Sequence, residues 1–578
     1  MKKWHLLTVF VCSLALYANT INHDYALDDK AIITQNSITQ QGFGGIADHF
    51  KHSYWYGLNQ KDQGNYRPIS GASFSLEKGL FGNNPSAGHL LNILFYGMLC
   101  AVILIWLNQL ALLSPWQNML VVLLFASHPI HTEVVANIKS RDEIYCMFFF
   151  FLSLLMFYKW QNDRKWSHAL LSGLLLLLSF LSKETSVALM PMFLIPATKS
   201  PVNLLKRLTI PASVTAIYLI IYLSVTDILG GTDYHLFDNA LVQEASGFSL
   251  LLTKIGIIGM YIKLLFYPHP LRYDYSFNTI EIMSMDHALV WIGLIPLLLI
   301  GLVGFMYLRK RLDLVFLIGL MLFILPLMPV SNLFFLIGAT AAERFLFMPS
   351  LGAVILFIYL WNTLLKKLEE GQSKKFITGL FTLIIVIFAG STIARNEAWK
   401  NDETIFSTDI KYLKNSAKAN HNLANIYSAK GDKVSDVATK RTYYETAIGL
   451  LENAIAIHPT MEFYKAVGVL YGNVQRWEGA IKAFTLYLEM NPGDLAIRSQ
   501  LGTAYGISGN MQMALETFEQ AYALAPNNAD VALNLGKTYG MLGNIDKAIE
   551  VLGKAMQSHP NHAEIKKTYE LSVNLAKQ

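Results

Sequence analysis

Apolar residues are unevenly spread along this chain: they collect in long runs over its first two thirds and then give way to a helical period. Runs near 3–20, 88–108, 117–136, 143–159, 208–226, 288–307, 313–330, 345–365 and 376–394 come close to the roughly 20 residues that cross a bilayer as a helix. A further stretch, 166–197, is apolar except for SKET at 182–185 and reads as two short helices meeting there. The pattern predicts about eleven spans. Residues 249–267 are also long enough, but Lys254 and Lys263 fall in their middle, where a charge is costly. That segment is assigned as an interfacial helix within a large outer loop, 227–287.

From about residue 395 the sequence becomes soluble in character and repeats. Gly468, Gly502 and Gly536 stand 34 apart, as do Tyr471, Tyr505 and Tyr539, Ala480, Ala514 and Ala548, and Pro492, Pro526 and Pro560. This is the tetratricopeptide period, a pair of helices per unit. The small residues let the two helices cross closely, the tyrosine fills between them and the proline ends the second. An earlier unit matches at Leu423, Ala424, Tyr427, Ala447, Ala454 and Pro459, with about eleven extra residues expected in its turn. The tail AEIKKTYELSVNLAKQ reads as a polar capping helix. The expected fold is all-α: a polytopic membrane helix bundle over 1–394 with outer loops 21–87 and 227–287, a linker over 395–416, and a tetratricopeptide α-solenoid of about four repeats plus the cap over 417–578.

Composition agrees with a membrane protein. Of 578 residues, 53% are hydrophobic and 15% charged, against roughly 25% charged in soluble domains. The net charge of +5 is too small to point to nucleic acid. Its distribution says more: Lys2, Lys3, Lys159, Arg164, Lys165, Lys199, Lys206, Arg207, Arg309, Lys310, Arg311, Lys366, Lys367, Lys374 and Lys375 all fall in short loops on one side of the predicted topology. The positive-inside rule then puts the N-terminus inside and the repeats outside. No small-x-small cleavage site precedes Asn19, so the first helix is expected to be retained. Cys12, Cys100 and Cys146 lie in apolar runs and form no disulfide framework, and no N-x-[ST] sequon with a permitted middle residue occurs. Both features favour a bacterial inner membrane with periplasmic repeats; a eukaryotic chain would sit in the ER membrane with lumenal repeats.

The predicted outer face gathers the unusual residues. It holds NHDYALDDKAI (21–31), with Asp24, Asp28 and Asp29; NYRP (65–68), with Arg67; and HPIHTE (128–133), with His128, His131 and Glu133. KSRDE (139–143) adds Arg141, SKET adds Lys183 and Glu184, RYDYS (272–276) adds Asp274 and Tyr275, and AERFLFMP (342–349) adds Glu343 and Arg344. Ionisable groups near membrane depth are expensive and tend to be functional. Each also has a plain reading. Acids after a span mark where the chain meets water, and the adjacent pairs Lys183-Glu184 and Glu343-Arg344 suit helix-end anchors. His128, His131 and Glu133 could ligate a metal, but the intervening proline opposes a helical metal face, and no metal is expected.

Taken in order, these motifs resemble a family. Tyr-x-x-Asp-Asp after the first span, Tyr-Arg-Pro, HPIHTEVVANI-x-x-Arg-Asp, Ser-Lys-Glu, Asp-Tyr-Ser, Ala-Glu-Arg-Phe-Leu-x-x-Pro-Ser-x-Gly, Arg-Asn-x-x-Trp and the closing repeats look like the transmembrane-and-tetratricopeptide O-mannosyltransferases. Those are related to the protein O-mannosyltransferases of the membrane-embedded C-type class. The resemblance covers essentially the whole chain; Leu27 before the acid pair and Arg272 before Asp-Tyr-Ser depart from it. It implies a glycosyltransferase that moves mannose with inversion from a polyprenyl-phosphate sugar to Ser or Thr of an outer-face protein. It implies Asp28 as general base with Asp29 the alternate, and Arg67, Arg141, Lys183 and Arg344 as ligands of the donor phosphate, Arg141 foremost. His131, Glu133, Glu184, Asp274, Tyr275 and Glu343 would contact sugar or acceptor. The implied partners are the polyprenyl-phosphate sugar, the acceptor protein and membrane lipid, with no cofactor. Two other classes fit parts of the chain. A non-enzymatic scaffold would use the repeats alone, since their concave surface binds peptides. A transporter would be expected to show an inverted repeat, and none is visible between the two halves.

Overall fold

The computed structural model describes residues 2–62, 64–195, 204–226, 236–242, 247–309, 312–365 and 370–577. Lys199, Lys310, Arg311, Lys366 and Lys367, and residues 227–235 and 243–246 of the expected outer loop, lie outside them. The chain divides into two compact units, Met1–Tyr412 and Leu413–Gln578, and among the described residues no strand occurs.

The first unit is a helix bundle. Its main helices are α1 (Lys3–Tyr17), α2 (Pro68–Phe81), α3 (Pro85–Leu110), α4 (Pro115–Ser127), α5 (Arg141–Asp163), α6 (Trp166–Ser182), α7 (Leu204–Val225) and α8 (Gly247–Phe266). They continue with α9 (Ala288–Leu308), α10 (Leu314–Leu327), α11 (Phe347–Leu364), α12 (Glu370–Asn396) and α13 (Asp402–Asp409). Among the described residues, seven helices are long and apolar enough to cross a membrane, or eight if a bent pair counts as one. Where described, every run read as a span is largely helical, but 117–136 is broken at His128-Pro129, and α1, α6, the 3₁₀ helix Glu184–Leu194 and Leu314–Val330 are shorter than a full crossing. These are the helices of an integral membrane protein.

The bent pair is where sequence and structure meet most directly. α4 stops at Ser127 because His128-Pro129 cannot extend it, and the chain turns by 53° into the short helix Thr132–Val135. The irregular backbone that follows is fully enclosed by protein, the condition under which non-helical chain is tolerated at membrane depth. Its carbonyls are satisfied from α3: the Asn92 amide donates to Asn137 O (3.1 Å), Val135 O (3.3 Å) and Ile138 O (3.4 Å). A second break, at Lys183, separates α6 from the 3₁₀ helix Glu184–Leu194, at the SKET interruption.

The segment 249–267 forms α8, which has the length and composition of a span. It crosses the start of α9 at two glycines: a Cβ on Gly259 would collide with Leu289 O, and one on Gly293 with Ile255 O. Just before α8, Ala240 N–H donates to Thr340 Oγ1 at 2.8 Å; at its close, Leu265 O accepts from His128 Nε2 at 2.9 Å. Midway, Tyr261 Oη accepts from Ala342 N–H at 3.2 Å.

Residues 395–412, read as part of a linker, instead belong to the first unit. Arg395 pairs with buried Asp409 through both guanidinium ends (2.5 and 2.8 Å), and Asn396 donates to Leu16 O (2.9 Å) at the end of α1. The sequence hides this because Asn396 and its partner Leu16 lie a whole bundle apart in the chain.

The second unit is a solenoid of helix pairs, 417–433 with 437–457, 461–473 with 477–490, 495–507 with 511–524 and 529–541 with 545–558, closed by Ala563–Ala576. The repeated glycines work as expected: a Cβ on Gly468, Gly502 or Gly536 would strike Phe484, Phe518 or Leu552 of the paired helix. The eleven extra residues of the first pair lengthen its helices, to 17 and 21 residues against 13 and 14, and leave the turn short. Extending two helices keeps those backbone hydrogen bonds internal, which a long turn could not.

Candidate active site

At one end of the bundle the chain exits from α1, α4 and α6 meet the starts of α5 and α11. The first outer segment carries the two acids, and they lie in opposite environments. Asp29 is buried. Its carboxylate accepts from Lys139 N–H (2.6 Å) and Ala26 N–H (3.1 Å), and so fastens the loop to the turn before α5. Burial pushes its pKa up to about 7, against the pull of those backbone donors. Asp28 points the other way. Its side chain is 49% exposed, and its nearest cation is Lys139 Nζ at 3.7 Å.

Around Asp28 the charged residues form linked pairs. Arg67, from the loop before α2, donates to Asp142 Oδ2 (2.7 Å) and, bidentately, to Glu184 (2.6 and 3.1 Å). Lys183 pairs with Glu143. Glu133 accepts from Arg344 twice, from its backbone N–H at 2.7 Å and from its guanidinium. The Arg344 side chain stays 25% exposed and lies within electrostatic reach of Asp28 and Asp142. Lys139 pairs with Asp28 and lies within electrostatic reach of Asp142. The structure thus brings together Asp28, Arg67, Glu133, Lys183, Glu184 and Arg344.

Other candidates stand apart from this opening. Arg141 is fully buried on the far side of its helix start, with every nitrogen committed: Nε to Asn92 (2.6 Å), Nη2 to Gly88 O (2.9 Å), and the fork to Glu77 and Ser73. It stacks on Phe74 and has no donor to offer a phosphate. His131 is an internal strut, bonded to Tyr96 (2.9 Å) and Ser350 (2.8 Å), and ties α3 to α11. Glu343 accepts from Arg272 N–H and from Tyr275 Oη (2.9 Å), and Asp274 accepts from Ser276 (2.8 Å); these three brace the 268–287 loop. Among the described residues no group of three or more His, Cys, Asp or Glu is arranged to hold a metal.

Sequence reasoning passed over Lys139, Asp142 and Glu143 as separate contributors. A signal was present: four charges in five residues, K-S-R-D-E, at the mouth of an apolar helix. It also missed Asp402, for which the sequence offers only the helix-start pattern Asn401-x-x-Thr404. Beyond the His128-Pro129 turn, a cavity of about 730 Å³ opens between α4, α8, α11 and α12. Leu124, Val354, Phe357, Ile384 and Phe388 wall it, and His269, Lys411, Tyr412 and the Arg395–Asp409 pair stand at its polar end.

Residues 69–226 match the family of dolichyl-phosphate-mannose-protein mannosyltransferases, and residues 507–570 match the tetratricopeptide repeat. The chain is 26% identical over 511 residues to the Homo sapiens protein O-mannosyl-transferase TMTC2, covering 73% of this chain and 60% of that one. It is 24% identical over 494 residues to the Mus musculus protein O-mannosyl-transferase TMTC4 (75% and 65%) and 26% identical over 511 to Mus musculus TMTC3 (83% and 54%). The chain is thus similar to protein O-mannosyl-transferases. It spans 54–65% of the length of these three relatives. Among solved structures, a tetratricopeptide protein, YrrB, aligns at 19% identity over 36% of this chain and 97% of that one, with a TM-score of 0.26. The mannosyltransferase match takes in Glu133, Arg141, Lys183 and Glu184, while Asp28 and Arg344 lie outside it and enter the site through the fold.

Proposed function

We propose that this protein is a membrane glycosyltransferase that moves a sugar, mannose by its relatives' names, from a polyprenyl phosphate to Ser or Thr of a protein. The observation that carries the reading is the placement of Asp28, a half-exposed carboxylate opposite Lys139 and Arg344. An acceptor hydroxyl bound to Asp28 gives up its proton to the carboxylate as its oxygen attacks C1 of the sugar. The bond from C1 to the phosphate oxygen breaks on the opposite face, which inverts the anomeric centre. The electron pair leaves with the lipid phosphate, whose charge falls to Arg344 and Lys139; a planar guanidinium suits phosphate oxygens. Side-chain cations thereby supply the leaving-group stabilisation, and the reading calls for no cofactor. The apolar cavity beyond the His128-Pro129 turn supports a lipid-borne donor, since its hydrocarbon walls suit an apolar chain.

The basic loops favour a site and repeats on the outer side, periplasmic in a bacterium and lumenal in the ER. The test is transfer of labelled mannose from polyprenyl-phosphate mannose to a Ser/Thr peptide by purified full-length chain. Asp28→Asn removes the proton acceptor with almost no change of volume and is expected to lower turnover at least about a thousandfold, within the range general-base catalysis supplies. A variant keeping most of the wild-type turnover would assign the base elsewhere. A non-enzymatic scaffold built on the repeats is the second reading; wild-type protein that binds peptides but transfers no sugar from any polyprenyl donor would favour it.

A further inference from the structure

We infer that Asp402 is a positioning residue for Asp28, an inference that rests on the proposed function and extends it to a residue outside the charged cluster. Asp28 follows Leu27, whose φ of +52° lies in the left-handed region that a γ-branched side chain rarely adopts. A strained residue persists only where its surroundings over-determine it. Asp402 supplies that determination: its Oδ1 accepts from Leu27 N–H at 2.7 Å, and its Oδ2 pairs with Lys30 Nζ at 2.5 Å. One carboxylate therefore grips the residue before Asp28 and the residue two places after it.

The grip has a firm base. Asp402 opens α13 directly after Asn401, whose side chain caps that helix in a reciprocal pair with Thr404 (3.0 Å each way). The preceding residues hold the exit of α1: Asn19 donates to Glu397 (2.8 Å) and to Ile393 O (3.1 Å), and Asp24 N–H donates to Lys400 O (2.9 Å). Asp29 anchors the same loop from the opposite side, onto the turn before α5. Asp28 is thus suspended between two clamps, and the second comes from the far end of the membrane unit. Asp402 reaches neither Lys139 nor Arg344 through any hydrogen bond or ion pair; its route to the chemistry runs through Leu27.

The test uses full-length protein in lipid nanodiscs, with two readouts. Amide hydrogen exchange over 24–30 reads the clamp, and mannosyl transfer reads its consequence. In Asp402→Ala the Leu27 amide is expected to exchange about tenfold faster while the helices keep their rates. Turnover should fall about tenfold, with the donor KM within about twofold, because the phosphate cations are untouched. Asp402→Asn keeps an oxygen for Leu27 N–H, and Lys30→Met keeps the whole of that bond, so each should change both readouts by less than about threefold. Adding Leu27→Gly to Asp402→Ala should recover a large part of the turnover, since glycine holds a positive φ without a clamp. Unchanged exchange in Asp402→Ala overturns the clamp. Faster exchange with wild-type turnover overturns the positioning role, as does a loss of turnover that tracks a fall in melting temperature and resists Leu27→Gly. If wild-type protein transfers no sugar, the proposed function is what fails, and the exchange result alone decides whether Asp402 holds the loop.

Discussion

Asp28 and Asp29 are neighbours with the same side chain, and the fold gives them different work. Asp29 spends both oxygens on backbone donors, and Asp28 keeps its oxygens for the opening. Asp29→Asn should therefore destabilise the protein, by about 1–3 kcal/mol, because an amide NH₂ must face one of two backbone N–H groups. Asp28→Asn should leave the melting temperature unchanged. Asp29 also has a pH signature. Its pKa is raised from 3.8 to about 7 by burial, so between about pH 4 and 7 the folded chain holds a proton that the unfolded chain has released. Its contribution to stability is present in full below the unfolded pKa and declines as pH rises through 7, with a slope of up to about 1.4 kcal/mol per pH unit. Unfolding midpoints across that range should flatten in Asp29→Asn. The two arginines diverge in the same manner. Arg344→Ala should weaken donor use about ten- to a hundredfold, the value of a charge-assisted hydrogen bond of about 1.5–3 kcal/mol. Arg141→Ala leaves partly buried Glu77 and buried Asn92 without that partner and should cost stability, about 3–5 kcal/mol, read as a lost melting transition in detergent.

At the scale of elements, the site exists because one membrane helix is broken. The His128-Pro129 turn ends α4 early, and the chain spends the rest of its passage in a buried turn that presents Glu133 and Lys139 to the opening. Asn92 sustains this arrangement by donating to three of its carbonyls and accepting from Arg141. Asn92→Ala should thus lower the melting temperature and reduce transfer together, because the turn relaxes before the chemistry is touched; a stable variant with full activity would show that the break holds itself. The run 117–136 was read as one span and hid the break, but the apolar runs and the 34-residue period were legible in the sequence, since each depends on residues close in the chain. The pairing of charges was not. Arg141 and Arg344 are both arginines at a helix mouth in the sequence; what separates them is that α2 and α3 bring Glu77 and Gly88 to one, while the other meets only Glu133. The same holds for residues 395–412, whose acceptors and donors sit in α1 and the first loop.

At the scale of the whole molecule, the two units each own a hydrophobic core. In the membrane unit it runs through α1, α3, α4, α5 and α11, and in the solenoid through successive helix pairs, as in Phe484 with Leu501 and Phe518 with Leu535. The membrane unit has a core of its own and should fold without the repeats. On the proposed function, the repeats hold an extended acceptor and raise its concentration at the catalytic loop, as linked binding sites do. Truncation after Tyr412 should then spare transfer to a short Ser/Thr peptide supplied in excess and impair transfer to a long acceptor. The cut leaves α13 and Asp402 in place, and with them the clamp on the Asp28 loop. Moving the cut to residue 395 removes that clamp as well and should lower both activities by at least about tenfold. Equal loss of both from the cut at 412, in a protein that still inserts and melts normally, would instead make the repeats a brace for the membrane unit.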